Sequence, residues 1–356
     1  MKFSTNTPDI LHTKMLSVHD KDWIDYISSK QGATIFHHPS WLENLSRSYG
    51  YKSHIITVQS SEGNILAGLP IMEVQNTFSG SKWISLPFSD YCNPLYENQE
   101  SLEVLTKSLI DLSQMNNPAV PVELRWEFPP HPEMNPFANH VLHKIPISRN
   151  IDAVHRNFSK NTRRCIKEAE NEKGLSLVWG NTLDHMRLFY SHQTKTRHRH
   201  GMPVQPWKYF KLLQEHVIQN GLGAILLTYY GNTCIAGLII LYFQKTLTFK
   251  YPASDESYHN YHPNHYTYWN AIKWASENGF ETIDWGRSEA SDSDIGLRTF
   301  KSKWGAVETP LVYTNIASPV SGLTTSKSMQ IMNSIIRKSP LFVSRIIGEM
   351  IYQYFP

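Results

Sequence analysis

The chain is short of cysteine: of 356 residues only Cys92, Cys165 and Cys234 are cysteines, far apart and odd in number. That excludes a disulfide framework and suits a reducing compartment. The missing Cys-x-x-Cys pair removes the usual zinc spacing. Charge of one sign is also scarce. A net charge of +3 and a pI near 8.5 exclude a polyanion binder of the histone kind, though not a local basic patch. The N-terminus, MKFSTNTPDILHTKM, has no apolar run of signal-peptide length, so a cytoplasmic location is expected. What is there is core: 40% hydrophobic residues over this length predict two domains rather than one.

After a polar lead-in to residue 35, HHPSWLENLSRSYG reads as a helix entered through Pro39 and left through Gly50. Strands are expected over Lys52–Gln59 and Ile65–Val74, joined by the turn Ser61-Glu62-Gly63-Asn64, and over Lys82–Pro87. Ser101–Gln114 has helical apolar spacing and Val122–Phe128 alternates as a strand. The same order returns about 160 to 170 residues later. A helix over Pro206–Asn220, strands over Leu222–Tyr230, Cys234–Phe243 and Thr246–Ala253, a helix over His262–Asn278 and a strand over Thr282–Trp285 complete it. Gly63-Asn64-Ile65-Leu66-Ala67-Gly68-Leu69 echoes Gly231-Asn232-Thr233-Cys234-Ile235-Ala236-Gly237-Leu238, and Leu124-Arg125-Trp126 echoes Ile283-Asp284-Trp285. The fold class is therefore α/β with a tandem duplication. The expected domains are 1–147, 148–318 with the site, and an amphipathic extension over 319–356.

The stretch from Glu281 to Tyr313 has residue types that suit a site. Asp284 and Arg287 stand at the end of a short strand, and Arg298, Lys301 and Lys303 lie on the amphipathic turn Leu297–Trp304 beyond it. Open α/β sheets bind ligands at such strand ends. An ion pair of Asp284 with Arg287 and a solvated basic helix face is the plainer alternative. Lys160, Arg163, Arg164 and Lys167 share one helix side by their i, i+3, i+4, i+7 spacing, a stripe that fits phosphate or a merely solvated face. His259, His262 and His265 recur at intervals of three. Pro263 interrupts a helix through them and no carboxylate or cysteine completes a ligand set, so they read as structural and no metal is expected.

Helix, hairpin, strand, helix, strand, with Ala-Gly in the second hairpin strand, resembles the GNAT acyltransferase fold, and two such units in one chain resemble the FemAB-like group. The most specific strings are Ser159–Ala169, Tyr251–Glu256, Trp269–Ala275, Asp284-Trp285-Gly286-Arg287 and Leu297–Gly305 with Phe300-Lys301. The resemblance implies two GNAT-like domains, each a twisted, mixed and mainly antiparallel sheet flanked by helices. It implies acyl or aminoacyl transfer to an amine of a cell-envelope glycan or peptide precursor, in the peptidoglycan or the exopolysaccharide branch. Lys301 is then the group at the oxyanion and Asp284 a proton acceptor or a partner of Arg287. Phe300, Arg298, Arg287, Tyr251, Arg199, Arg163, Arg164 and Trp269 would bind substrate. No tightly bound cofactor is implied. The donor is an aminoacyl-tRNA or an acyl thioester, and the acceptor is nucleotide- or lipid-linked.

Two departures bear on those expectations. Where acetyl-CoA-dependent members carry a glycine-rich phosphate loop, this chain has Tyr251-Pro252-Ala253-Ser254-Asp255-Glu256, without glycine and with two carboxylates, which counts against acetyl-CoA. Near the end of the Pro39-Ser40-Trp41 helix an expected basic residue is replaced around Leu45, which counts against a UDP-linked muropeptide. A non-catalytic double-GNAT scaffold for polysaccharide assembly is the competing class. The tail 329–356 is amphipathic and net basic, fit to rest on the anionic inner face of a membrane or against its own body.

Overall fold

The computed structural model describes residues 11–76, 80–115, 117–317 and 327–354. The first ten residues of the polar lead-in and residues 318–326, where the extension is expected to begin, lie outside them. Two compact units form. The first runs to Ala138 and takes back the chain from Val312; the second holds Arg47–Tyr49, Asn139–Leu311 and the C-terminal helices.

In the first unit β1 (His12–Leu16) and α1 (Lys21–Ser29) precede α2 (Pro39–Tyr49), β2 (Lys52–Gln59), β3 (Ile65–Asn76), β4 (Gly80–Ile84), β5 (Leu95–Tyr96), α3 (Gln99–Gln114) and β6 (Val122–Leu124). Pro39 opens α2, and Gly50 ends it in the left-handed region at φ +78°. The sheet order is β1-β2-β3-β4-β6, antiparallel up to β4 and parallel between β4 and β6.

The second unit contains most of β7 (Met134–Pro146), then α4 (Ile151–Arg156), α5 (Lys160–Asn171), β8 (Leu175–Gly180), α6 (Leu183–Arg199), α7 (Trp207–Leu213) with a π turn to Ile218, β9 (Gly223–Tyr230), β10 (Thr233–Phe243), β11 (Thr246–Ser254), α8 (Pro263–Glu277), β12 (Thr282–Glu289) and α9 (Ile295–Ser302). Its order is β7-β12-β11-β10-β9-β8, antiparallel except for the parallel pair β11–β12. The uncharged run 217–244 has the length of a membrane span, yet Gly and Asn at 231–232 fold it into the β9–β10 hairpin. Among the described residues no helix is long and apolar enough to cross a membrane.

The two units share one connectivity: a strand, two helices, three antiparallel strands, a helix and a parallel strand. The duplication read from the sequence is real, and it is longer than the sequence shows. β1 and β8, the leading strand of each copy, are mostly exposed, with apolar Met15, Val178 and Trp179 at the surface, so neither reads as a core strand. Three boundaries are corrected. The break between the units falls at 138/139 rather than 147, because His140–Pro146 of β7 take their ladder partners from β12. The third strand stops at Ile84 and not Pro87, since Leu86 sits at φ +69°. β6 stops at Leu124 and not Phe128, because the Arg125 N–H goes to Ser85 Oγ and its carbonyl to the Cys92 N–H.

The last strand, β13 (Val307–Ile316), ends in the first unit, where Thr314 to Ile316 pair with β6. The C-terminal helices α10 (Lys327–Lys338) and α11 (Leu341–Ile351) belong to the second unit. α11 lies on the segment after α6 so closely that a Cβ at Gly348 would meet the Val204 carbonyl oxygen at 1.9 Å. Glu349 Oε1 accepts the Trp207 N–H, and Arg345 stands over the Tyr190 ring.

Candidate active site

The parallel strands β11 and β12 pair only over Thr246↔Thr282, Leu247↔Ile283 and Thr248↔Asp284, although β11 continues to Ser254 and β12 to Glu289. Beyond that point their ladder ends, and an opening follows at the carboxyl ends of two parallel strands. Position β12 takes a bulge between Asp284 and Arg287, with Gly286 at φ +67°. Only glycine occupies that region without strain, so the bulge depends on this residue.

Lys301 holds the bulge. Buried on α9, its Nζ donates to the Gly286 carbonyl (3.2 Å), the Arg287 carbonyl (3.0 Å) and Ser288 Oγ (3.0 Å). A cation buried this far needs acceptors of that kind. Asp284, fully buried, accepts the Gly286 N–H at 2.8 Å, so both predicted catalytic groups converge on the same kink. Arg287 Nη1 lies 2.8 Å from His140 Nε2 on β7. Arg298 makes a two-pronged pair with Glu308 (3.0 and 2.6 Å) and reaches the Ala290 carbonyl, which ties down the loop leading into α9.

Phe300 lies half-buried against Trp285, Tyr268, His265 and Trp304, on the edge of the aromatic core of the second unit. Tyr251 projects from β11 and shares a 2.7 Å hydroxyl contact with Tyr209. Arg199, at the end of α6, donates to the Ser254 carbonyl at the end of β11. Arg163 donates to the Arg156 carbonyl and Arg164 to Asn161 and Glu168, on the outer face of α5, while Thr162, Cys165, Ile166 and Ala169 are its buried side. Trp269 requires a correction. It is a core residue, 7% exposed, wedged edge-on against Phe158 and beside His155, and no substrate platform.

One group escaped the sequence. His143 on β7 is 1% exposed, and neither ring nitrogen has a hydrogen-bond partner among the described residues. Burial, reinforced by Lys301, lowers its pKa to about 4, so it is neutral near pH 7. Nothing in its polar, proline-interrupted neighbourhood marks it beforehand. His265 is likewise neutral, lowered to about 4 by burial, and it stacks on Trp304 at 5.5 Å.

Residues 156–301 match the family model of the acetyltransferase (GNAT) domain, which spans this whole opening. The matched segment lies within the second unit and is similar to that domain. The crystal structure of FemX covers 91% of this chain and all of its own, at a TM-score of 0.70 and 13% identity. The C-terminal domain of a putative lysylphosphatidylglycerol synthetase from Agrobacterium fabrum covers 88% and 95% at a TM-score of 0.54 and 12% identity. A stretch of 75 residues is 33% identical to the lipid II:glycine glycyltransferase of Staphylococcus saprophyticus; it is 20% of this chain and spans only 18% of that protein's length. In fold the chain is similar to the FemX structure along nearly its whole length.

Proposed function

We propose that this protein transfers an aminoacyl group to an amine of a lipid-linked cell-envelope peptide precursor. The observation that carries the reading is that β11 and β12 cease to pair beyond Thr248 and Asp284, where Lys301 binds the bulge of β12, within the matched GNAT domain. The 75-residue likeness to a protein named for glycyl transfer to lipid II supports the substrate class.

The chemistry needs a donor carbonyl held against the acceptor amine, positive charge where the oxyanion forms, and a proton acceptor. Lys301 supplies the charge by exchanging one of its three acceptors for the oxyanion. The amine attacks the acyl carbon directly, the tetrahedral centre collapses, and the donor's oxygen or sulfur leaves with the electron pair and takes up the proton that the amine gives up. The donor is proposed to be an aminoacyl-tRNA. Against acetyl-CoA stands the segment after β11, where Asp255 caps the turn Glu256–Tyr261 through the Ser257 N–H and so places a carboxylate where a pyrophosphate would dock.

α11 fits the membrane side of the same reading. Phe342, Ile346 and Met350 stand outward at i, i+4, i+8, at 59%, 52% and 63% exposure, near Arg337 and Lys338. We take this stripe to rest on the anionic leaflet that carries the acceptor.

Mass spectrometry of envelope precursors from cells lacking the protein tests the transfer. A missing aminoacyl branch is the expected result. Intact precursors with lost polymer export would instead favour a non-catalytic scaffold for exopolysaccharide assembly.

A further inference from the structure

α5 and α8 pack side by side next to the opening, and their facing residues bring three metal-ligating side chains together. Cys165 comes from the buried face of α5, and His262 and His265 come from the start of α8; one ligand atom from each lies within 4.8 Å of the other two. Soft thiolate with two imidazoles is a donor set for a zinc-class cation, and three protein ligands leave the fourth tetrahedral position open.

Two further observations point the same way. His262 Nε2 lies 3.1 Å from Glu168 Oε2, one turn along α5 from Cys165. With Nε2 carrying the proton toward that carboxylate, Nδ1 keeps its lone pair for a metal, which is the carboxylate–histidine arrangement found behind metal-ligating imidazoles. His262 is also held at φ +55°, ψ +42°, a left-handed conformation that a non-glycine residue adopts at some cost, just before Pro263 starts the helix. That conformation turns the residue out of α8 and toward α5.

We propose that Cys165, His262 and His265 form a binding site for Zn²⁺ or a closely related divalent cation, with Glu168 positioning His262 and the fourth place open to water or an anionic group of a bound substrate. Binding releases the thiol proton and forms the metal–thiolate bond with no redox step. The site is independent of the proposed transfer, since its test reads metal uptake and not turnover.

The test is titration of the metal-free full-length protein with Co²⁺ and Zn²⁺. Expected are one tightly held ion per chain, an intense near-ultraviolet thiolate-to-cobalt absorption, and a rise in melting temperature with Zn²⁺. Cys165→Ser abolishes the absorption and the rise, and Glu168→Gln weakens uptake roughly 10- to 100-fold. His262→Asn, which tolerates the left-handed backbone, serves as a second ligand variant should the buried serine compromise folding. Cobalt uptake without the thiolate band, or uptake equal in wild type and variants, would mean adventitious binding at surface histidines and would overturn the proposal.

Discussion

The same position of the two repeats holds opposite charges, and each is buried with a different set of partners. Arg125 in the first unit and Asp284 in the second both follow the parallel strand's leucine or isoleucine, and both are buried. Arg125 reaches back to the segment after β4 with Nη1 to the Ser89 carbonyl, its N–H and carbonyl fixed by Ser85 and Cys92, while its Nε pairs with Glu123 on β6 itself. Trp41 Nε1 bonds Ser89 Oγ and closes the same segment from α2. In the second unit the matching segment is held outward: Tyr251 by Tyr209, Ser254 by Thr196 and Arg199, Asp255 by Lys195. One copy ties its post-strand segment onto the parallel strand; the other ties it to α6 and α7 and leaves β12 to Lys301.

Activity gives the largest effect with which to probe that contrast. Lys301→Met is expected to lower kcat of the transfer by about 100-fold or more, as losing an oxyanion-stabilising group does, whereas Arg125→Met leaves kcat of the folded fraction near wild type. Near-equal turnover of Lys301→Met would remove that lysine from the chemistry.

Stability should invert the order. Arg125→Ala breaks a buried ion pair and strands the Ser89 carbonyl, an expected cost of about 3 kcal/mol or more in denaturant unfolding of the first unit. Lys301→Met leaves two carbonyls at the bulge without this donor, and about 1–3 kcal/mol is expected. Gly286→Ala, in the left-handed region, should cost about 1–2 kcal/mol. Were it neutral, the bulge would not depend on glycine.

Both units should respond to acid in the same direction. His37 in the first unit, and His143 and His265 in the second, are held neutral by burial, each lowered from 6.5 to about 4. The unfolded chain therefore binds more protons than the native one between those values. Stability is complete above about pH 6.5 and falls as pH drops toward 4. His143→Phe should flatten that slope for the second unit only, measured by thermal melts across pH. Smallest is the exposed pair: Arg298→Gln should change stability only slightly in denaturant unfolding, and salt should mask the change.

Periodicity and turn residues carried much of the fold. Pro39, Gly50 and the two Gly-Asn turns fix their boundaries by local backbone preference, so α2, β2, β9 and β10 fall within a residue or two of expectation. β7 escaped because Pro136 and a polar first half hide a strand whose partners come from β12. Lys301 and Asp284 were legible as polar groups at a strand end. Their shared attachment to Gly286 was not, since it depends on where α9 lies against the bulge.

The sequence by itself determined the duplication, the order of elements and the want of a glycine-rich loop after β11, because these follow from short-range spacing and residue type. Tertiary structure alone decided that Lys301 holds the bulge at Gly286, that Trp269 is core, and that Cys165 meets His262 and His265. Those outcomes rest on contacts between segments distant in sequence, and no local pattern specifies which distant groups will meet.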